Sequence, residues 1–216
     1  MTRFVANAAA GLMIALIGVI AYLVLIDPTA FGLLGGGDDP FEECRSTKVV
    51  GGQATIGGPF TLINGSGDAV SDTDIITKPT LVYFGYTYCP DVCPFDTVRN
   101  AEALDLLSEA GKSAQSVFIS IDPERDTPDV ISEYASYVHE DMIGLTGSPE
   151  QVKAAAAAYK AYYRKNGEGE DYLVDHSTFT YLVLPGHGFV EFFRREETPE
   201  ALAEKTACFI ERSKQN

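Results

Sequence analysis

Residues 80–94 read TLVYFGYTYCPDVCP. Leu81, Val82, Tyr83 and Phe84 make an apolar, β-prone run of the kind buried in the middle of a sheet, and Gly85 breaks it. A short loop follows and delivers two cysteines, Cys89 and Cys93, each with a proline directly after it. Pro94 suits a first helical position, so the loop is predicted to enter a helix. The Cys-x-x-x-Cys spacing then places both sulfurs on one face, one turn apart. Free amides and the dipole at a helix N-terminus favour thiolate over thiol, which poises both cysteines as nucleophiles or ligands. The spacing is a poor match to the Cys-x-x-Cys redox motif, although a disulfide across it stays within ordinary Cα separations.

Working outward, Phe60 to Ile63 reads as a short strand closed by Asn64-Gly65. The helix after the cysteine loop closes at Gly111. Val117 to Ile121 is the next strand, ended by Asp122-Pro123, and Pro128 opens a helix to about Val138. Ile143 to Leu145 is a third parallel strand, followed by a helix from Ser148-Pro149 to about Tyr159. Thr178 to Leu184 and Phe189 to Arg194 flank Pro185-Gly186-His187-Gly188 as a hairpin, and Thr198-Pro199-Glu200 starts a terminal helix. Strand, helix, strand, helix, then hairpin and helix is an α/β plan with a mixed central sheet flanked by helices, and its order resembles the thioredoxin fold with insertions.

Two thiolates make an incomplete metal site, and the chain has three histidines. His187 falls at the hairpin tip and His139 at a polar helix end, and both read as surface residues. His176 differs. It stands in YLVDHS, residues 172–177, just before the strand that ends beside the cysteine loop in a thioredoxin-like sheet. Thioredoxin-like oxidoreductases carry a proline facing the cysteines at that place, whereas this chain has no proline between Pro149 and Pro185. The structural alternative is a partly buried histidine held by Asp175.

The chain of 216 residues is long enough for one well-buried domain and not comfortably for two. Residues 8–26, AAAGLMIALIGVIAYLVLI, are uncharged and of bilayer-spanning length, so they read as a single transmembrane anchor. A cleaved signal peptide is the competing reading, but the run exceeds a usual h-region and no clean cleavage site follows. Arg3 precedes the run and Asp27 is the first charge after it, which places tail 1–7 in the cytoplasm and the remainder outside. Residues 27–47 are rich in Gly, Pro and Asp and read as a flexible tether, with the domain at 48–216. A net charge of −15 excludes nucleic acid as a natural partner. No internal repeat is present.

Three motifs in order, CPDVCP within 80–94, VFISIDPERDTP at 117–128 and YLVDHS at 172–177, closely resemble the Sco/SenC family of membrane-anchored copper-binding proteins. The likeness runs from about Phe60 to the terminal helix. It implies one copper per domain held by Cys89, Cys93 and His176. It also implies a role in delivering copper to, or maturing, the CuA centre of cytochrome c oxidase. Soft thiolates with one imidazole suit Cu(I), and Cu(II) binds most tightly of the divalent series, so the donor set agrees with the resemblance. Tyr88 departs from it, since many members have histidine just before the first cysteine. Asp175 is read as a hydrogen-bond acceptor orienting His176, and Asp91 as tuning local charge or a partner contact. Asp122, Arg125 and Asp126 are read as caps for the loop and helix that follow, with no chemistry.

If Cys89 and Cys93 are the functional pair, Cys44 and Cys208 are left to pair with each other; free thiols or an intermolecular bridge are the alternatives. The enzymatic alternative to a metallochaperone is a thiol-disulfide reductase in which Cys89 and Cys93 form the redox-active pair and keep the oxidase's copper-site cysteines reduced. A membrane-tethered redox or copper sensor is a further reading. A peroxidase is weaker, because this chain has Thr-x-Cys where that chemistry needs Thr-x-x-Cys. Expected partners are the oxidase subunit carrying CuA, another periplasmic copper chaperone and a thiol reductase. The short stretch before the anchor points to a bacterial inner membrane with the domain in the periplasm.

Overall fold

The computed structural model describes residues 13, 18–19, 21–22, 39–46 and 56–215. Nearly all of the expected anchor 8–26 lies outside them. Those of its residues that are described are helical, and no helix among the described residues is long and apolar enough to cross a membrane. One compact unit runs from Pro40 to Asn216.

Among its described residues are nine strands and five α-helices: β1 Thr61–Asn64, β2 Ala69–Ser71, α1 Asp72–Ile75, β3 Thr80–Gly85, α2 Val92–Glu109, β4 Gln115–Ser120, α3 Pro128–Val138 and β5 Met142–Thr146. Then come α4 Pro149–Ala158, β6 Tyr163–Asn166, β7 Leu173–His176, β8 Thr180–Leu184, β9 Gly188–Phe193 and α5 Pro199–Ser213. Seven strands form one mixed sheet in the order β2-β1-β5-β4-β3-β8-β9. β3, β4 and β5 are mutually parallel, and β8 lies antiparallel against β3. Every residue of β3 and of β4 is buried, which is why both read as unbroken apolar runs: parallel strands at the centre have a helix-covered layer on each face.

On one face, Leu81, Leu182 and Leu184 pack with Leu104 and Leu107 of α2 and with Leu202, Phe209 and Ile210 of α5. On the other, Val117, Ile119 and Leu145 pack with Ile131 and Ala135 of α3 and Val152 and Ala155 of α4. Gly144 in β5 lets α3 come close, since a Cβ there would sit 2.3 Å from the Ile131 carbonyl oxygen. α4 starts with a capping box in which the Ser148 hydroxyl accepts from the Gln151 amide and the Gln151 side chain accepts from the Ser148 amide.

Several expectations shift. The helix after the cysteine loop begins at Val92, so Cys93 already lies in its first turn, where Pro94 removes an amide that has no intrahelical partner anyway. Residues 41–44, read from sequence as tether, belong to the compact unit: Phe41 and Cys44 are buried against α5, and a 3-10 turn spans Glu42–Cys44. Cys44 and Cys208 form a disulfide with Cα atoms 5.7 Å apart. The largest omission is the two-stranded sheet of β6 and β7, which stands apart from the main sheet. β6 carries Tyr163, Arg164, Lys165 and Asn166, too polar and short to announce a strand.

Candidate metal centre

The end of β3 aims the cysteine loop, and three contacts fix its path. Gly85 fits between the rings of Tyr83 and Phe118, where a Cβ would lie about 3 Å from both. Asp126 accepts the Thr87 amide at 3.0 Å and the Thr87 and Ser120 hydroxyls at 2.5 and 2.6 Å. The Cys89 amide donates to the Tyr86 carbonyl at 3.2 Å. Asp126 is fully buried, and burial raises its carboxyl above the ordinary range against the pull of those hydrogen bonds. Its role therefore differs from the expected helix cap. It reaches back across the turn and ties the loop carrying Cys89 to the end of β4.

Cys89 lies just outside α2 and Cys93 within it, both buried and both free thiols. The Cys93 amide donates to the Cys89 sulfur at 3.4 Å. The Cys93 thiol and the amides of Cys93 and Asp91 favour charge on Cys89 and hold it well below the usual thiol range. Cys93 moves the opposite way, pushed up first by sharing its proton with Cys89 and then by burial. Ionisation of the pair therefore falls on Cys89 before Cys93.

His176 arrives from β7. Its Nε2 lies 3.3 Å from the Cys93 sulfur, and its Nδ1 lies 2.8 Å from the Ser177 carbonyl oxygen. A carbonyl only accepts, so Nδ1 carries the proton and Nε2 turns its lone pair toward the sulfurs. The ring stands edge-on between Tyr83 and Tyr86, with centroids 6.2 and 5.9 Å away. Asp175 does not orient His176. It bonds Arg164 and Asn166 on the outer face of the β6–β7 sheet, because successive residues of a strand point to opposite sides. The orienting acceptor is instead the Ser177 carbonyl, which has no signature in a sequence.

The donor atoms of Cys89, Cys93 and His176 all lie within 4.8 Å of one another, the one such cluster among the described residues. Two sulfurs and an imidazole nitrogen this close fit a soft or borderline metal ion. The other histidines stand elsewhere. His187 is exposed and packs its edge on Phe41, and His139 is mostly covered, bonded to Asp105 at 3.2 Å and to the Asp141 amide at 2.9 Å. Asp91 is exposed and makes no side-chain cap, its amide rather than its carboxylate serving the site.

Beneath the site lies a buried polar cluster that apolar patterning hid. The Tyr83 hydroxyl donates to Asp96 at 2.9 Å, Asp96 faces Arg99 at 3.9 Å, and Arg99 reaches Thr180 and the Arg194 carbonyl. Asp122 takes hydrogen bonds from Arg125 and from Tyr172, both at 2.5 Å, and Arg125 stacks on the Tyr172 and Tyr88 rings. A cavity of about 680 Å³ opens there, beside Pro90 of the cysteine loop, with half-exposed Leu173 at its rim.

Fold and site together define a thioredoxin-like domain in which a histidine from a side hairpin lies beside two free thiols. The chain belongs to the SCO1/SenC family, whose profile matches residues 49–211. It is 47% identical over 212 residues to the protein SenC of Rhodobacter capsulatus, covering 97% of this chain and 91% of that protein. A crystal structure of Arabidopsis thaliana ScoI with copper bound is 41% identical with a TM-score of 0.67, covering 74% of this chain and 99% of that one. Bradyrhizobium japonicum ScoI with copper bound is 38% identical with a TM-score of 0.64, covering 70% of this chain and 98% of that one.

Proposed function

We propose that this protein is a copper metallochaperone that holds one copper ion through Cys89, Cys93 and His176 and delivers it to the CuA centre of cytochrome c oxidase. The observation that carries this reading is the convergence of two free thiols and an imidazole lone pair within 4.8 Å, in a family with copper-bound relatives. Copper is cargo here, and the residues do three things. The amides at the start of α2 keep charge on Cys89, the Ser177 carbonyl keeps the Nε2 lone pair free, and burial excludes competing water. Residues 8–26 would anchor the domain to a bacterial inner membrane, with residues 40–216 in the periplasm facing the oxidase subunit that takes the metal. A second periplasmic copper chaperone is the natural donor, and a thiol reductase keeps the cysteines able to bind.

The second reading is thiol-disulfide exchange, favoured by the low-lying Cys89 thiol with Cys93 one turn away. Cys89 as thiolate attacks a substrate disulfide and expels one substrate sulfur, Cys93 gives up its proton and resolves the mixed disulfide, and the substrate leaves as a dithiol with two electrons from the pair, one proton from Cys93 and one from solvent, while Cys89 and Cys93 become a disulfide.

His176→Ala separates the two. Copper titration of the reduced variant is expected to show affinity lowered by at least about a hundredfold, while exchange with a small disulfide continues. Stoichiometric, tight copper binding by the variant would remove His176 from the ligand set.

A further inference from the structure

β7 carries the one ligand that does not come from the loop and helix following β3. Its strand partner is β6 alone, so apart from the short link into β8 the place of His176 relative to the cysteines depends on what ties this hairpin to the loop. Tyr86 touches all three parts. Its carbonyl accepts the Cys89 amide at 3.2 Å, its ring packs edge-on against His176 at 5.9 Å, and its hydroxyl accepts the Val174 amide at 3.2 Å. Tyr86 is 3% exposed and Val174 6%, so neither the hydroxyl nor the amide has bulk water as a substitute partner. A phenylalanine would fill the same apolar space. The hydroxyl adds a fixed distance between the cysteine loop and the strand that ends in His176, together with a hydrogen-bonded contact to Cys89.

From this geometry we infer that Tyr86 is a positioning residue: its hydroxyl clamps β7 at Val174 and sets His176 in register with Cys89 and Cys93. The inference rests on the three-ligand reading of the site, and its test separates the two. Without the clamp, a buried amide loses its acceptor and the hairpin end relaxes away from the loop, while the sheet and the helices are untouched; the hydroxyl's contact with Cys89 is lost with it. The displacement is therefore centred on the imidazole, a pattern that general loosening of the core does not produce.

The test is Tyr86→Phe in the soluble domain, residues 40–216, with the full chain in detergent as the parallel sample. In the reduced, metal-free protein, amide hydrogen exchange at Val174 is expected to accelerate about tenfold, the worth of one buried hydrogen bond. The imidazole nitrogen shifts of His176 are expected to move, with amides in β3 and β4 unchanged. On adding one equivalent of Cu(II), the imidazole nitrogen hyperfine pattern is expected to broaden and the affinity to fall about tenfold. Unchanged Val174 exchange overturns the inference, and so does faster exchange with unmoved His176 nitrogen signals. Should the variant lose its native circular dichroism, exchange at Val174 in the wild-type protein decides: strong protection supports the clamp and free exchange overturns it. A wild-type protein that takes up no copper removes the copper reading instead, and leaves the metal-free measurements to decide the clamp.

Discussion

At the start of α2 the Cys89 sulfur receives the Cys93 thiol and two backbone amides, while Cys93 sits deeper and keeps its proton. Two residues of the same kind, four apart, thus take different roles because one lies before the helix and the other inside it. The folded value of Cys89 is depressed, so its thiolate is complete well below neutrality and does not grow as pH rises. Alkylation of reduced, metal-free protein by iodoacetamide, followed residue by residue in a mass spectrometer, is expected to proceed at Cys89 with a nearly constant rate from about pH 6 to 9, Cys93 lagging throughout. A rate climbing about tenfold per pH unit would mark Cys89 as an ordinary thiol. At this scale the sequence was informative about which side chains meet, since a thiol pair and a histidine are chemically conspicuous. It was silent about Ser177, whose contribution is a carbonyl, and misleading about Asp175, whose neighbour in sequence points the other way.

Among the elements, the loop that β3 aims and the first turn of α2 carry the cysteines, and β7 carries the histidine. The first two were legible because a buried strand and a proline-marked helix start leave strong patterns. The β6–β7 hairpin was not, because its four-residue strands expose one face and hold charged residues. Close packing of α3 on β5 was equally hidden, resting on the missing side chain of Gly144. Gly144→Ala forces a methyl group against the Ile131 carbonyl and is expected to lower stability by about 3 kcal/mol. Urea unfolding followed by far-ultraviolet circular dichroism measures this, and a change under about 0.5 kcal/mol would show that α3 shifts freely.

For the molecule as a whole, the disulfide from Cys44 to Cys208 closes a loop with a sequence separation of 164 and holds the segment around Phe41 on α5. In the chain-entropy view such a loop is worth up to about 5 kcal/mol, chiefly by restricting the unfolded chain. Cys208→Ser is expected to lower the thermal midpoint and to leave copper uptake at Cys89, Cys93 and His176 unaltered, the bridge lying on α5 rather than beside β7. Scanning calorimetry and a copper titration on the same sample check both halves, and an unchanged midpoint would show that the bridge adds no stability. Pattern in the sequence by itself determined the α/β layering, the central strands, the cysteine helix and the family, because burial and turn chemistry are written in residue order. Only tertiary structure decided which backbone carbonyl orients His176, that Asp126 anchors the loop of Cys89, and that Tyr86 joins that loop to β7. The first uses a carbonyl, a group every residue possesses, and the other two join residues far apart in the chain, so no local spacing records them.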